Sequence, residues 1–269
     1  MSRTRGRPPA LGYDRRGNGA PLVLIHSLGT DRCVWHPVLD RLAARRDVIA
    51  IDLPGFGESE PLPSDQPPTP QALAQAVSTF LAEELRIRTP HVAGNSLGGW
   101  VALELGLGLG FGARAASVTA ISPAGLWPRA LPPKPSIARG IARAATPVLA
   151  AVLATERGRR LALGATMAHP ERVPPEEALR LVRAYAAAPG YDTVNAAMRA
   201  GRFHALDRIA VPLTFGWPDR DRLVGRPACL PPTARNVVLR DCGHVPMWDD
   251  PGQVADLLLA GSVERRAAA

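Results

Sequence analysis

Short continuous apolar runs alternate with helix-patterned segments through the first half of this chain, and that alternation narrows the fold more than any other feature. Pro21-Leu-Val-Leu-Ile25, Val48-Ile-Ala-Ile51, His91-Val-Ala93 and residues 117–121 read as strands. They lack polar alternation, as strands covered on both faces do. Between them, residues 35–45 (Trp35, Val38, Leu39, Leu42), 71–85 and 97–107 carry apolar side chains at helical spacing. Parallel neighbours need a crossover, so this rhythm builds a parallel sheet with helices on both faces. The expected class is α/β, doubly wound and mostly parallel.

The rhythm breaks at Trp127. From there to His204 no strand is legible. Ala-, Leu- and Arg-rich helical patterns take over at 137–145, 147–159, 176–188 and 191–203, separated by Pro and Gly. Strands resume at 211–215 and 237–239, and a last helix follows Asp249-Asp250-Pro251 through 254–259. The expected organisation is a core of residues 1–126 and 206–269, with an all-helical lid, 127–205, inserted into it. Gly106, Gly108, Gly110 and Gly112 alternate with apolar residues, and each costs a helix about 1 kcal/mol relative to Ala. The helix entering that stretch is therefore expected to end early. Residues 1–10, basic and Pro-rich, are expected to be a disordered tail. Residues 61–70 read as a loop, because the strand–helix rhythm continues after them.

The 269 residues suffice for one large α/β domain with a sizeable core. The formal charge of +8 is carried almost wholly by Arg, with Lys134 the single lysine. A nucleic-acid binder gathers such charge on one element. Here Arg is scattered and its densest cluster (Arg3, Arg5, Arg7) lies in the tail, so a soluble basic surface is expected and no nucleic-acid partner. Cys33, Cys229 and Cys242 show neither metal spacing nor a disulfide framework. No apolar run is long enough to span a bilayer. Arg15-Arg16 is followed by too short an apolar stretch for a twin-arginine signal. The expectation is a cytoplasmic, reduced protein with no membrane association; the oligomeric state is not legible.

The chemistry centres on Gly94-Asn95-Ser96-Leu97-Gly98, between an apolar strand and an amphipathic helix. A serine hydroxyl is a poor nucleophile. It needs exposure, a base, and donors for the oxyanion that forms. A sharp strand-to-helix bend supplies the first and the last, with glycines where a side chain would collide with neighbouring backbone. The helix after it offers free N–H groups. His26-Ser27-Leu28-Gly29 follows the first apolar strand, so the N–H of Leu28 is a second candidate oxyanion donor beside that of Leu97. His26 itself reads as a structural histidine bonding the loop.

Asp241-Cys242-Gly243-His244 follows the last strand, where a general base can reach across to Ser96. His36, His91, His169 and His204 lack such a setting. Asp219 and Asp221 both follow a strand end, where a carboxylate can hold the imidazole of His244 in the right tautomer. The residues alone leave the choice between them open.

With these motifs in place, the chain resembles the α/β-hydrolase superfamily, near its esterase, lactonase and meta-cleavage-product hydrolase members, from His26 to His244. The resemblance implies an eight-stranded sheet and a helical lid after the sixth strand, with the first antiparallel strand in doubt because the N-terminal segment is short. It implies the order Ser, Asp, His, and it favours Asp221, four residues past Trp217, over Asp219. It makes Asp52-Leu-Pro-Gly55-Phe-Gly57-Glu-Ser59 a turn rather than a reactive element. Ser27 departs from the family's usual His-Gly.

The expected activity is hydrolysis of a carboxylic ester or lactone, a small-molecule carbonyl substrate, through an acyl-enzyme on Ser96. The alternatives with the same residues are C–C hydrolysis of meta-cleavage-type diketones and cofactor-free haloperoxidase or acyltransferase chemistry. A ligand-binding protein with dead chemistry is disfavoured because every part of the triad is present. No metal or organic cofactor is expected, since nucleophile, base, acid and oxyanion donors are all protein groups.

Overall fold

The computed structural model describes residues 9–108, 112–133 and 137–263. Arg3, Arg5, Arg7, Gly110 and Lys134 lie outside them, as does most of the 1–10 tail. Seven described strands form one sheet in the order β1-β3-β2-β4-β5-β6-β7: β1 Tyr13–Arg16, β2 Pro21–Ile25, β3 Asp47–Ile51, β4 His91–Asn95, β5 Ser117–Ile121, β6 Leu213–Pro218 and β7 Arg235–Leu239. All neighbours are parallel except β1, which runs antiparallel to β3 with Tyr13 opposite Ile51.

The described sheet thus has seven strands where eight were expected, and an antiparallel strand is present near the N-terminus. β1 escaped the sequence reading because Tyr-Asp-Arg-Arg is an exposed edge with no apolar run. Its Arg15 forms a bidentate pair with Asp47 on the neighbouring strand. Polar, charged residues are how an edge avoids pairing with another chain.

Successive residues of the central strands face opposite sides, so one continuous apolar run feeds two cores. Leu22, Leu24, Val48 and Ala50 pack with α1 (His36–Ala43) and α9 (Pro251–Gly261) through Val38, Leu39, Leu42, Val254 and Leu258. Val23, Ile25, Ile49 and Ile51 face α2 (Pro70–Glu83) and α3 (Leu97–Leu107) through Leu73, Val77 and Val101. α3 is buried from Leu97 to Leu105 rather than amphipathic as expected, with Glu104 its one charged residue, and it ends at Gly108 in a left-handed conformation, φ +62°. The early end expected of the glycine-rich stretch is realised there as an αL cap.

Between β5 and β6, among the described residues, lie five α-helices: α4 Ile137–Ala144, α5 Leu149–Ala154, α6 Glu156–Leu163, α7 Pro175–Ala187 and α8 Tyr191–Ala200. With seven described strands instead of eight, the insertion follows the fifth described strand. The single helix expected over 147–159 is two, because extended Thr155 breaks it and caps α6 by accepting the Gly158 N–H at 3.0 Å. Leu149, Leu153, Leu163 and Leu181 join the α1/α9 core, while Val194, Met198 and Phe203 join the other. β6 also runs further than expected, through Trp217-Pro218, so the turn begins only at Asp219. Among the described residues no helix is long and apolar enough to cross a membrane.

α3 carries one buried acid. Glu104 of α3 accepts from Trp100 Nε1 at 2.8 Å and from Gln71 Nε2 at 2.7 Å, both on the same oxygen. Burial raises its pKa above the ordinary carboxylate value against those two bonds. A group so raised supports the fold while protonated, and that contribution is lost as pH rises through the folded value. Glu104→Gln keeps a carbonyl oxygen for both donors and removes the charge. Thermal melts from pH 4 to pH 8 should show the variant gaining on the wild type as pH rises; a gap independent of pH would contradict the assignment.

Candidate active site

The bend between β4 and α3 holds Ser96 at φ +56°, ψ −113°, a strained region for a residue with a side chain. Main-chain bonds enforce it: Ser96 N donates to Ile121 O at 2.9 Å, and Ala124 N and Trp100 N donate to Ser96 O at 2.9 and 3.1 Å. A Cβ at Gly94 would overlap the Gly98 carbonyl, and one at Gly98 would overlap the carbonyls of Ile25 and His26. Both glycines are thus required by backbone against backbone. Leu97 opens α3, so its N–H has no intrahelical acceptor and stands at the positive end of the helix.

The loop after β2 faces this bend. His26 is wholly buried; its Nε2 accepts from Leu53 N at 2.9 Å, which leaves Nδ1 protonated to donate to Ser27 O at 2.8 Å. Burial, opposed by Asp52, lowers the His26 pKa, and the neutral tautomer satisfies both bonds. His26 is therefore a structural crosspiece between two loops. The Ser27 hydroxyl is held by Thr30 Oγ1 at 3.1 Å, and Thr30 N also bonds Ser27 O. Leu28 follows directly on this braced turn.

The second loop is braced in turn by the 52–59 motif. Asp52, fully buried, accepts from Arg32 N at 2.7 Å, from Glu58 N at 2.9 Å and from the Arg32 guanidinium. Burial works against the Arg32 charge, but Asp52, Asp14 and Glu58 outweigh it and hold the group above its ordinary pKa. Gly57, at φ +52°, has no room for a Cβ beside the Asp52 carboxylate. Nothing in the sequence pattern pointed to Arg32.

Across the sheet ends, His244 Nδ1 lies 2.8 Å from Asp221 Oδ2, with both side chains buried. The other Asp221 oxygen accepts from Leu223 N at 2.7 Å and Val224 N at 3.0 Å. Burial alone would raise the Asp221 carboxyl. The His244 hydrogen bond and charge, the nearby Ser122 hydroxyl and the Leu223 N–H together hold it below the usual carboxylate range. An ionised Asp221 keeps the proton of His244 on Nδ1 and leaves Nε2 as an acceptor. Asp219 is exposed, and only its backbone is engaged, donating to Leu239 O.

Asn95 joins the two halves. Its Nδ2 donates to His244 O at 3.0 Å and to Ile121 O at 3.2 Å, so the residue before Ser96 carries the histidine loop. This bond to the histidine loop was not visible in the sequence. The cavity of about 260 Å³ near this loop is lined by Thr166, Met167, Arg220, Arg222 and Gly243, and not by Ser96 or His244.

This bend, histidine and acid on an open parallel sheet are the frame of a hydrolytic enzyme. The chain matches the description "Alpha/beta hydrolase family" over residues 22–257 and belongs to that family. It is 40% identical over 98 residues to a pimeloyl-[acyl-carrier protein] methyl ester esterase of Aeromonas hydrophila, a match covering 36% of each chain. It is 36% identical over 193 residues to the epoxide hydrolase EphH of Mycobacterium tuberculosis, covering 65% of this chain and 87% of that one. Of solved structures, a hydrolase from Pseudomonas aeruginosa is similar with TM-score 0.71 and 25% identity, over 97% of this chain and 96% of that one.

The glycine contacts yield a test. Gly98→Ala should cost about 1–3 kcal/mol in chemical denaturation, the usual range for overpacking, together with a loss of turnover. Gly140→Ala, in α4 where a Cβ meets nothing within 4 Å, should instead gain up to about 1 kcal/mol. Equal effects of the two would argue against the elbow packing.

Proposed function

We propose that this chain is a serine hydrolase of carboxylic esters or lactones. Ser96 attacks the substrate carbonyl, and His244 Nε2 takes its proton. Asp221 steadies the imidazolium, and the N–H groups of Leu97 and Leu28 receive the oxyanion. The protonated His244 then passes its proton to the leaving alkoxide. Water, deprotonated by the same imidazole, releases the acid and restores Ser96. The observation that carries this reading is Ser96 at φ +56° on the β4–α3 bend, with its neighbour Asn95 bonded to the loop of a His244 that Asp221 orients.

An epoxide substrate fits less well, although one relative is called an epoxide hydrolase. Ring opening by a serine oxygen leaves an ether, which offers water no carbonyl to attack, so the enzyme would not turn over. An ester or lactone leaves an acyl-enzyme, which hydrolyses. The name of the Aeromonas relative and that of a structural neighbour, the enol-lactonase of Burkholderia xenovorans, favour the same bond types.

The helical insertion, 127–205, acts in this reading as the lid. Gly29, in the candidate oxyanion loop, lies under the rings of Tyr185 and Tyr191: a Cβ there would be 2.7 Å from Tyr185 Cδ2 and 3.0 Å from Tyr191 Cε2. The two rings meet edge to face, with the Arg139 guanidinium over Tyr191.

Ser96→Ala should lower kcat on p-nitrophenyl esters by about 10⁴-fold or more and abolish fluorophosphonate labelling, with the melt unchanged. A variant keeping a tenth of the activity would sink the assignment. Asp221→Asn should lose about 10⁴ in kcat, as removal of the orienting acid does in a comparable triad. Asp219→Asn should lose less than about threefold, because a solvated charge contributes little. The opposite ranking in steady-state kinetics would move the acid to Asp219.

A further inference from the structure

Asp249 lies between the last strand and α9, buried and outside the set of residues assigned a chemical step. Its carboxylate accepts three main-chain N–H groups from two parts of the chain. Oδ2 takes Gly243 N at 2.7 Å and Ala168 N at 3.0 Å, and Oδ1 takes His169 N at 2.7 Å. Gly243 precedes His244, whereas Ala168 and His169 belong to the helical insertion. One anion therefore holds the segment carrying the histidine and the segment after α6 in a single arrangement.

The surrounding contacts run the same way. Val245 N donates to Thr166 O at 2.8 Å, and Arg172 Nη1 donates to Asp249 O at 2.9 Å. His169 Nε2 lies 2.7 Å from Asp241 Oδ2, three residues before His244. Gly243 leaves no space for a side chain: a Cβ would stand 2.7 Å from Ala168 N and 2.8 Å from the Met167 backbone. On the other side of this contact the 260 Å³ cavity borders Thr166, Met167, Ala168 and Gly243. Bonds from N–H groups to a carboxylate are stronger than neutral ones, and stranding three buried donors is costly.

We infer that Asp249 is a positioning residue for His244, acting through Gly243, and that the insertion segment 166–169 is part of the device that aims the base. The inference rests on the serine-hydrolase reading. A carboxamide at 249 has one acceptor oxygen and turns an NH₂ toward the remaining donors, so Asp249→Asn leaves either His169 N, or Gly243 N and Ala168 N together, facing an NH₂. Misplacing a catalytic group by about 1 Å costs on the order of 100-fold.

The test is p-nitrophenyl butyrate hydrolysis over a pH series, expressed per fluorophosphonate-titrated site, with amide hydrogen exchange read over 166–169 and 242–246. Asp249→Asn should lower kcat about 10- to 100-fold, leave KM within about twofold, shift the acid limb of the kcat/KM profile, and speed exchange in both segments together. A variant that melts earlier but keeps wild-type kcat per titrated site overturns the proposal. Should Asp249→Asn not fold, His169→Ala, which cuts the side-chain ties to Asp241 and Glu171 and leaves the main-chain bonds to Asp249 in place, decides for the insertion segment. A several-fold fall in kcat with faster exchange in 242–246 supports positioning, and unchanged values refute it. A Ser96→Ala control separates the two ideas. Activity retained there overturns the serine reading and this proposal with it, whereas loss there beside an unaffected Asp249→Asn overturns only the proposal.

Discussion

Main chain packs directly on main chain where β4 turns into α3. The carbonyls of Ile25 and His26 at the end of β2 press on Gly98, and the Gly98 carbonyl presses on Gly94. That approach brings the start of a buried helix against the ends of two parallel strands, with Ser96 forced to a positive φ between them. Backbone strain of this kind persists only where the surroundings over-determine it. Three main-chain hydrogen bonds on Ser96 and the two absent side chains meet that condition.

Around the bend the loops are held by polar side chains bonded to main chain. His26 joins its own loop to Leu53, Asp52 gathers Arg32 and Glu58, Asn95 holds the carbonyl of His244, and Asp221 takes two N–H groups besides the imidazole. Each bond satisfies a buried group that would otherwise be costly. Together they order the loops without any ligand, which is the preorganisation that the proposed oxyanion stabilisation requires.

The insertion is not an independent body. Leu149, Leu153 and Leu163 share a core with the sheet, and Val194, Met198 and Phe203 share the other. A segment that shares cores and polar ties with the frame can transmit its arrangement to the loops beneath it. The relatives carry names of esterase and epoxide hydrolase on one family frame, so the frame alone does not choose the bond that is broken.

The doubly wound frame and the glycine-flanked bend at Ser96 were legible in the linear chain because each rests on local pattern, whereas the order Ser, Asp, His came only from the family resemblance. Buried strands need unbroken apolar runs, a tight bend needs glycines, and a helix needs its spacing. The exposed edge strand β1 and the break at Thr155 were missed, since one has no apolar run and the other turns on a single cap. Two carboxylates two residues apart left Asp219 and Asp221 open on the residues alone, and only the family resemblance favoured Asp221. Folding separates them, leaving one in water and bringing the other within 2.8 Å of His244. The parts played by Arg32, Asn95 and Asp249 were equally invisible. Their partners lie 20, 149 and 81 residues away along the chain, and contacts over such distances exist only once the sheet has brought the loops to one end.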